Sequence, residues 1–135
     1  MRSVYVDANV FLRFFTQDDE GHHEKARKLM TDAGSGKIQL VSGPPVLFEV
    51  AWTLRSAYAV SPARILEILD AIAAFPGLSL SDGDTVLAAI TLARESGVEF
   101  ADAYIAASAQ SLGADQIATF NVKDFKRLDA ALYHW

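Results

Sequence analysis

The amino-acid sequence predicts an α/β protein, a three-layer α/β/α sandwich around a parallel central sheet. Short β-rich runs alternate with longer helical stretches along the chain, the pattern of a parallel sheet covered on both faces. No internal repeat, low-complexity tract or Pro/Ser-rich linker interrupts that alternation. The chain is 135 residues long and 51% hydrophobic, enough for one domain with a real core, so residues 1–135 read as a single unit.

Taken in order, "VYV" (Val4 to Val6) is the first strand, ending at the isolated acid Asp7. Ala26, Leu29, Met30 and Ala33 repeat at helical spacing and predict the first long helix. "IQLVS" (Ile38 to Ser42) is the next strand, and "PPVLFEVAWTLRSAY" opens with Pro44 and Pro45 where a helix tolerates proline. "SPARILEILDAIAAF" starts with Ser61 as N-cap and Pro62 in the first turn, with Ile65, Leu69 and Ile72 on one face. After the strand "LSLS" (Leu78 to Ser81), two further helices end at Gly97 and Gly113, residues able to take the left-handed cap conformation. "QIATF" (Gln116 to Phe120) and "ALYHW" (Ala131 to Trp135) complete the candidate strands.

Composition narrows the function classes. With no cysteine, thiolate metal sites, disulfides and cysteine nucleophiles are excluded, and a reducing, cytoplasmic setting is expected. Asp7, Asn9 and Arg13 break the N-terminal apolar run before a signal-peptide core forms, and no apolar run approaches the length of a membrane span. The formal net charge of −5 argues against a broadly basic nucleic-acid surface. A polyanionic substrate would need a local basic patch or a bound cation.

Three acids lack a local base. Glu49 has Pro45, Val46, Trp52 and Thr53 at helical offsets; Asp102 has Val98, Glu99, Ile105 and Ala106; Asp7 has Tyr5 and Asn9 as same-face neighbours in a strand. Each alone reads as a surface acid, a helix N-terminal acid or the partner of a distant base. Together, if they converge on a common point, their repulsion raises their pKa values or demands a hard divalent cation such as Mg²⁺ or Mn²⁺. In "TFNVKDF", Thr119, Asn121 and Asp124 offer further oxygen atoms.

The ordered set "YVDANVFLR", "VLFEVAWTL", "EFADAYIAASA" and "ATFNVKDF", spread over nearly the whole chain, resembles the PIN domain, and within it the VapC-like ribonuclease toxins of toxin–antitoxin pairs. The resemblance implies a nuclease domain with an acidic pocket in which Asp7, Glu49 and Asp102 bind Mg²⁺, with Mn²⁺ as substitute. Asp124 joins them as a catalytic acid, and Asn9, Thr119 and Asn121 stand behind them. It further implies an endoribonuclease that hydrolyses RNA through metal-activated water, and a protein antitoxin as partner. Many members carry an aspartate where this chain has Asn121, so the fourth acidic role falls to Asp124 or the second metal site is weak.

Other readings compete with this one. A haloacid-dehalogenase-type phosphatase needs a second Asp two residues after the first, where this chain has Asn9. A receiver domain needs an acidic pair and a late lysine that find no counterpart. A PIN-like RNA- or protein-binding module with weak or no catalysis is favoured by Asn121. Lys123, Lys126, Arg127 and Arg13 are candidates to guide a phosphate chain, although a solvated surface role is the more common one for each lysine. His22 and His23 read as solvated residues at a helix start, and Asp82 and Asp84 as helix N-terminal acids. Phe11, Phe14, Phe15, Trp52 and Tyr58 suggest surplus apolar surface and a homodimer.

Overall fold

Three short parallel strands carry the N-terminal half of the protein. The structure, a computed structural model, describes residues 1–135 and divides into two compact units, Met1–Gly83 and Asp84–Trp135. In the first, β1 (Ser3–Tyr5), β2 (Gln39–Ser42) and β3 (Leu78–Leu80) lie in the order β1-β2-β3. Val4 is opposite Leu40, and Val41 is opposite Ser79. Parallel neighbours cannot be joined by a hairpin, so each crossing is helical. Helices α1 (Ala8–Phe15) and α2 (Glu20–Gly34) link β1 to β2, and α3 (Pro44–Ser56) and α4 (Pro62–Ala73) link β2 to β3. An α/β class with helices flanking a parallel sheet is therefore present, as the alternation of runs predicts.

The local signals account for most of these elements. Ser61 accepts from Arg64 N to cap α4, Pro62 follows it, and Ile65, Ile68, Leu69 and Ile72 are buried along one face. Phe11, Leu40, Leu47, Leu54, Leu69 and Ile72 are fully buried, each worth about 2 kcal/mol of apolar transfer free energy. Gly77 is the tight point of the unit. Its φ is +84°, and a Cβ there would collide with the backbone carbonyl of Ala33. The close approach lets Leu40 N donate to Gly77 O at 2.8 Å and so starts the β2–β3 pairing.

The second unit is helical: α5 (Gly83–Ser96, beginning on the last residue of unit 1), α6 (Phe100–Ser111) and α7 (Val122–Arg127). Val86, Ala89, Ile90 and Ala93 of α5, Ala103 and Ala107 of α6 and Phe125 of α7 are buried. Gly97 and Gly113 have φ of 75° and 74°, as expected for residues just past helix ends.

Three expectations are corrected. The segments Gln116 to Phe120 and Ala131 to Trp135 are not strands; they meet in one parallel bridge, Ile117 to Leu132. Ile117 N donates to Ala131 O and Tyr133 N to Ile117 O, after which Asn121 caps α7 and ends any extension. Next, extended chain does not continue past Asp7 to Asn9. Ala8, Phe11 and Leu12 have the i, i+3, i+4 spacing of a helix face and are buried, so the chain turns helical after Asp7. Asn9 is consequently not a same-face strand neighbour of Asp7. Finally, Phe11 is core rather than interface, and Phe14 packs edge-on against Phe15 and Phe75. Tyr58 is tied down by a 2.8 Å hydrogen bond from its hydroxyl to Asp18, whereas Trp52 stays 65% exposed. No helix is long and apolar enough to cross a membrane.

Candidate functional site

In the first unit Asp7 stands just past the carboxyl end of β1. Val6 N donates to Val41 O and Ser42 Oγ donates to Val6 O, both at 2.9 Å, which pins the chain immediately before the acid. Asp7 then leaves the strand with extended backbone and becomes the N-cap of α1, its Oδ1 accepting from Ala8 N at 2.7 Å. A carboxylate is favoured there by the unpaired amides of the first helical turn. The side chain is exposed, as is Asn9 in the first turn of α1. Glu49 lies on the outer face of α3 between buried Leu47 and Val50, and its carboxylate is exposed. Arg13, a candidate phosphate guide, is engaged by Asp18 at 3.0 Å.

In the second unit, four of the expected residues come together. Asp102 sits in the first turn of α6 and Asp124 in the first turn of α7. Asn121 is the N-cap of α7: its Oδ1 accepts from Asp124 N at 3.4 Å, and its own N–H donates to Thr119 Oγ1 at 3.0 Å. The Asn121 Nδ2 group donates to Asp124 Oδ2 at 3.0 Å and reaches Asp102 Oδ2 at 3.5 Å. One neutral amide thus links two carboxylates from different helices. Burial, and secondarily the negative charge of Asp124, push the Asp102 carboxyl above the usual carboxylate range.

The link between Asn121 and Asp124 follows a local rule. An N-cap side chain bonded to the third helical residue, whose own side chain reaches back, is the geometry of a capping box. Asn at the cap with Asp three residues on supplies the first half of that geometry; the return bond of Asp124 comes from the Asn121 side-chain amide instead, since the Asn121 backbone N–H is taken by Thr119 Oγ1. The amide bridge to Asp102 has no local sequence signal, because it depends on α6 and α7 packing side by side; the Asn-x-x-Asp spacing is the signal for the other half, the bond to Asp124.

As donors, the Asp102 and Asp124 oxygens and the Asn121 amide oxygen are all hard, and a partly desolvated carboxylate beside a second one is stabilised by a cation. The set therefore fits Mg²⁺ or Mn²⁺ in chemistry. Its arrangement turns the Asn121 Nδ2 group toward both carboxylates, so offering the amide oxygen to an ion requires the amide to turn over. No group of three or more His, Cys, Asp or Glu side chains is assembled to hold a metal ion.

The remaining charged and titratable candidates of the two units divide into structural and free groups. Arg127 donates to Ser96 O at 2.8 Å and lies against Gly97, which makes it a clamp between the end of α5 and α7. Lys123 and Lys126 are exposed on α7. His22 pairs with Asp19, and His23 Nδ1 is 2.8 Å from Arg13 O, so both belong to the start of α2. A cavity of about 480 Å³ lined by Leu92, Ala106, Gln110, Arg127 and Asp129 includes none of Asp102, Asn121 and Asp124.

None of the curated proteins compared with this chain matches it at a significant level. The family model for the PIN domain matches residues 4–131, a span that runs from the strand before Asp7 to the segment beyond Asp124. That match extends over nearly all of the sequence, and the chain accordingly belongs to the PIN domain family.

Proposed function

We propose that this PIN-domain protein binds RNA as a recognition module with weak or no hydrolytic activity. The observation that carries this reading is the Asn121 amide set between Asp102 and Asp124. It answers part of the negative charge of the two acids from within the protein, where a further carboxylate would have added to it. The exposed Lys123 and Lys126 on α7 give a phosphate chain a local attraction that the net charge of −5 does not. The match over residues 4–131 supports treating both units as parts of one domain.

A second reading is favoured by the raised Asp102 carboxyl: an endoribonuclease that depends on Mg²⁺ or Mn²⁺, the toxin of a toxin–antitoxin pair with a protein antitoxin. Its assigned residues are Asp7, Glu49, Asp102 and Asp124, supported by Asn9, Thr119 and Asn121. A bound divalent ion would supply a lowered pKa for water and charge neutralisation at phosphorus. Asp102 and Asp124 would hold the ion through their carboxylates, and Asn121 would keep the two acids in register. The exposed Trp52 supports self-association as a homodimer, and a cytoplasmic setting agrees with the absence of cysteine.

Purified protein incubated with single-stranded RNA in chelator, in Mg²⁺ and in Mn²⁺ separates the two. Retention of RNA with no scission in any of the three supports the module. Scission that needs the ion and disappears in Asp102→Asn supports the nuclease.

A further inference from the structure

Three aromatic rings stand in solvent beside Asn121. Phe120 is 86% exposed, Trp135 76% and Tyr133 50%. Phe120 and Trp135 are stacked with ring centroids 4.9 Å apart and planes 19° apart, and Tyr133 meets Trp135 edge-on at 5.3 Å. The backbone explains how residues 15 apart come to face each other. The parallel bridge pairs Ile117 with Leu132, and three steps along each chain in that register lead to Phe120 and Trp135. Tyr133 and Trp135 are two residues apart, which in extended chain places them on one side.

Large apolar rings kept this open are costly for a soluble surface unless they meet something. They are mutually ordered, so little conformational freedom remains to be lost on binding. Phe120 is joined directly to Asn121, whose Cα is about 3.8 Å from its own. From Thr119 to Trp135 the chain carries three bases against two acids, a positive stretch in an acidic protein, with Lys123 and Lys126 exposed. Flat faces flanked by cations are what unpaired nucleobases on a phosphate chain require. Three rings are too small for a stable protein–protein interface, which needs about 1,000 Å² or more.

The geometry points to Phe120, Trp135 and Tyr133 as a base-stacking platform that takes the unpaired nucleobases of single-stranded RNA next to the Asp102–Asn121–Asp124 cluster. The inference rests on the reading of the protein as RNA-binding and names the form of RNA and the residues that grip it. Double-stranded RNA, whose bases are already stacked, is refused by the same surface.

The test uses the full chain with Trp52→Phe, leaving Trp135 as the single tryptophan, and a fluorescein-free 10-nucleotide uridine or adenosine oligomer, in chelator and again in Ca²⁺. Single-stranded oligomer is expected to quench Trp135 emission, while a duplex of mixed sequence does not. Trp135→Ala and Phe120→Leu, followed by oligomer anisotropy with a labelled strand, should each weaken binding by about 5- to 100-fold. Trp135→Tyr should recover most of the loss, which a purely structural role would not produce. Circular dichroism checks that each variant is folded; if Trp135→Ala is not, Phe120→Leu and Trp135→Tyr decide. Wild-type binding that is undiminished in the folded variants, or equal for duplex, overturns the platform and leaves RNA binding standing. Absence of binding by the wild type in both buffers overturns the platform together with the RNA reading. Variants that bind RNA normally but lose self-association in sedimentation overturn it in favour of a protein contact.

Discussion

Asn121 donates from Nδ2 to Asp124 Oδ2 at 3.0 Å while its Oδ1 accepts from Asp124 N, so one residue both caps α7 and holds the acid three positions on. The same Nδ2 reaches Asp102 Oδ2 at 3.5 Å. Two substitutions separate these roles. Asn121→Ala removes the cap and should cost about 1 kcal/mol in chemical unfolding. Asn121→Asp keeps a good cap but replaces the donor by a third negative charge. It should lower stability in chelator and enlarge the thermal shift with Mn²⁺; saturation at 100 times the dissociation constant adds about 2.7 kcal/mol. An Asn121→Asp protein as stable as wild type in chelator would contradict the bridging role.

Asp102→Asn preserves shape while removing the charge that burial and Asp124 disfavour. Its metal-free form should melt above the wild type, since a partly desolvated anion and a like-charge repulsion are both removed. If cleavage occurs in the wild type, it should fall in this variant. Stability and activity would then move in opposite directions, readable by paired melting curves and gel assays; a lower melting temperature with intact activity would show that Asp102 serves the fold.

Asp18 should contribute to the acid sensitivity of the first unit. Its carboxyl lies below the usual range, chiefly through the hydrogen bond from Tyr58, with Thr16 and Arg13 adding to it. A folded pKa below the unfolded one means stability that is complete above the ordinary carboxylate value and lost as pH falls through the folded value. Tyr58→Phe should move the Asp18 titration, followed by NMR, upward, and acid unfolding should begin at higher pH. An unmoved titration would show that the Tyr58 hydroxyl does not bear on it.

Gly77→Ala should destabilise the protein by about 1–3 kcal/mol or more, measured by urea unfolding, because a φ of +84° is strained for alanine and its Cβ meets the rigid Ala33 backbone. Gly36→Ala is the control. It shares a positive φ of +82° but has open space around the added carbon, so it should cost less.

How far the sequence alone reaches is seen element by element. Ser61-Pro62 with Ile65, Leu69 and Ile72, and glycine at 97 and 113, specify helix starts, faces and ends, because capping and amphipathic spacing act within a turn or two. The α/β class and the parallel sheet follow from the alternation of such segments, and the PIN resemblance from motifs in fixed order. The isolation of Asp102 from any local base was equally legible. What tertiary structure decided is everything that joins distant segments. A single Ile117–Leu132 bridge replaced two expected strands and brought Phe120 onto Trp135. Phe11 went to the core because α1 is a helix whose face packs inward. Asp102 met Asn121 and Asp124 only because α6 and α7 pack together, and hydrogen bonds of a few ångströms between residues 19 apart leave no trace in local spacing.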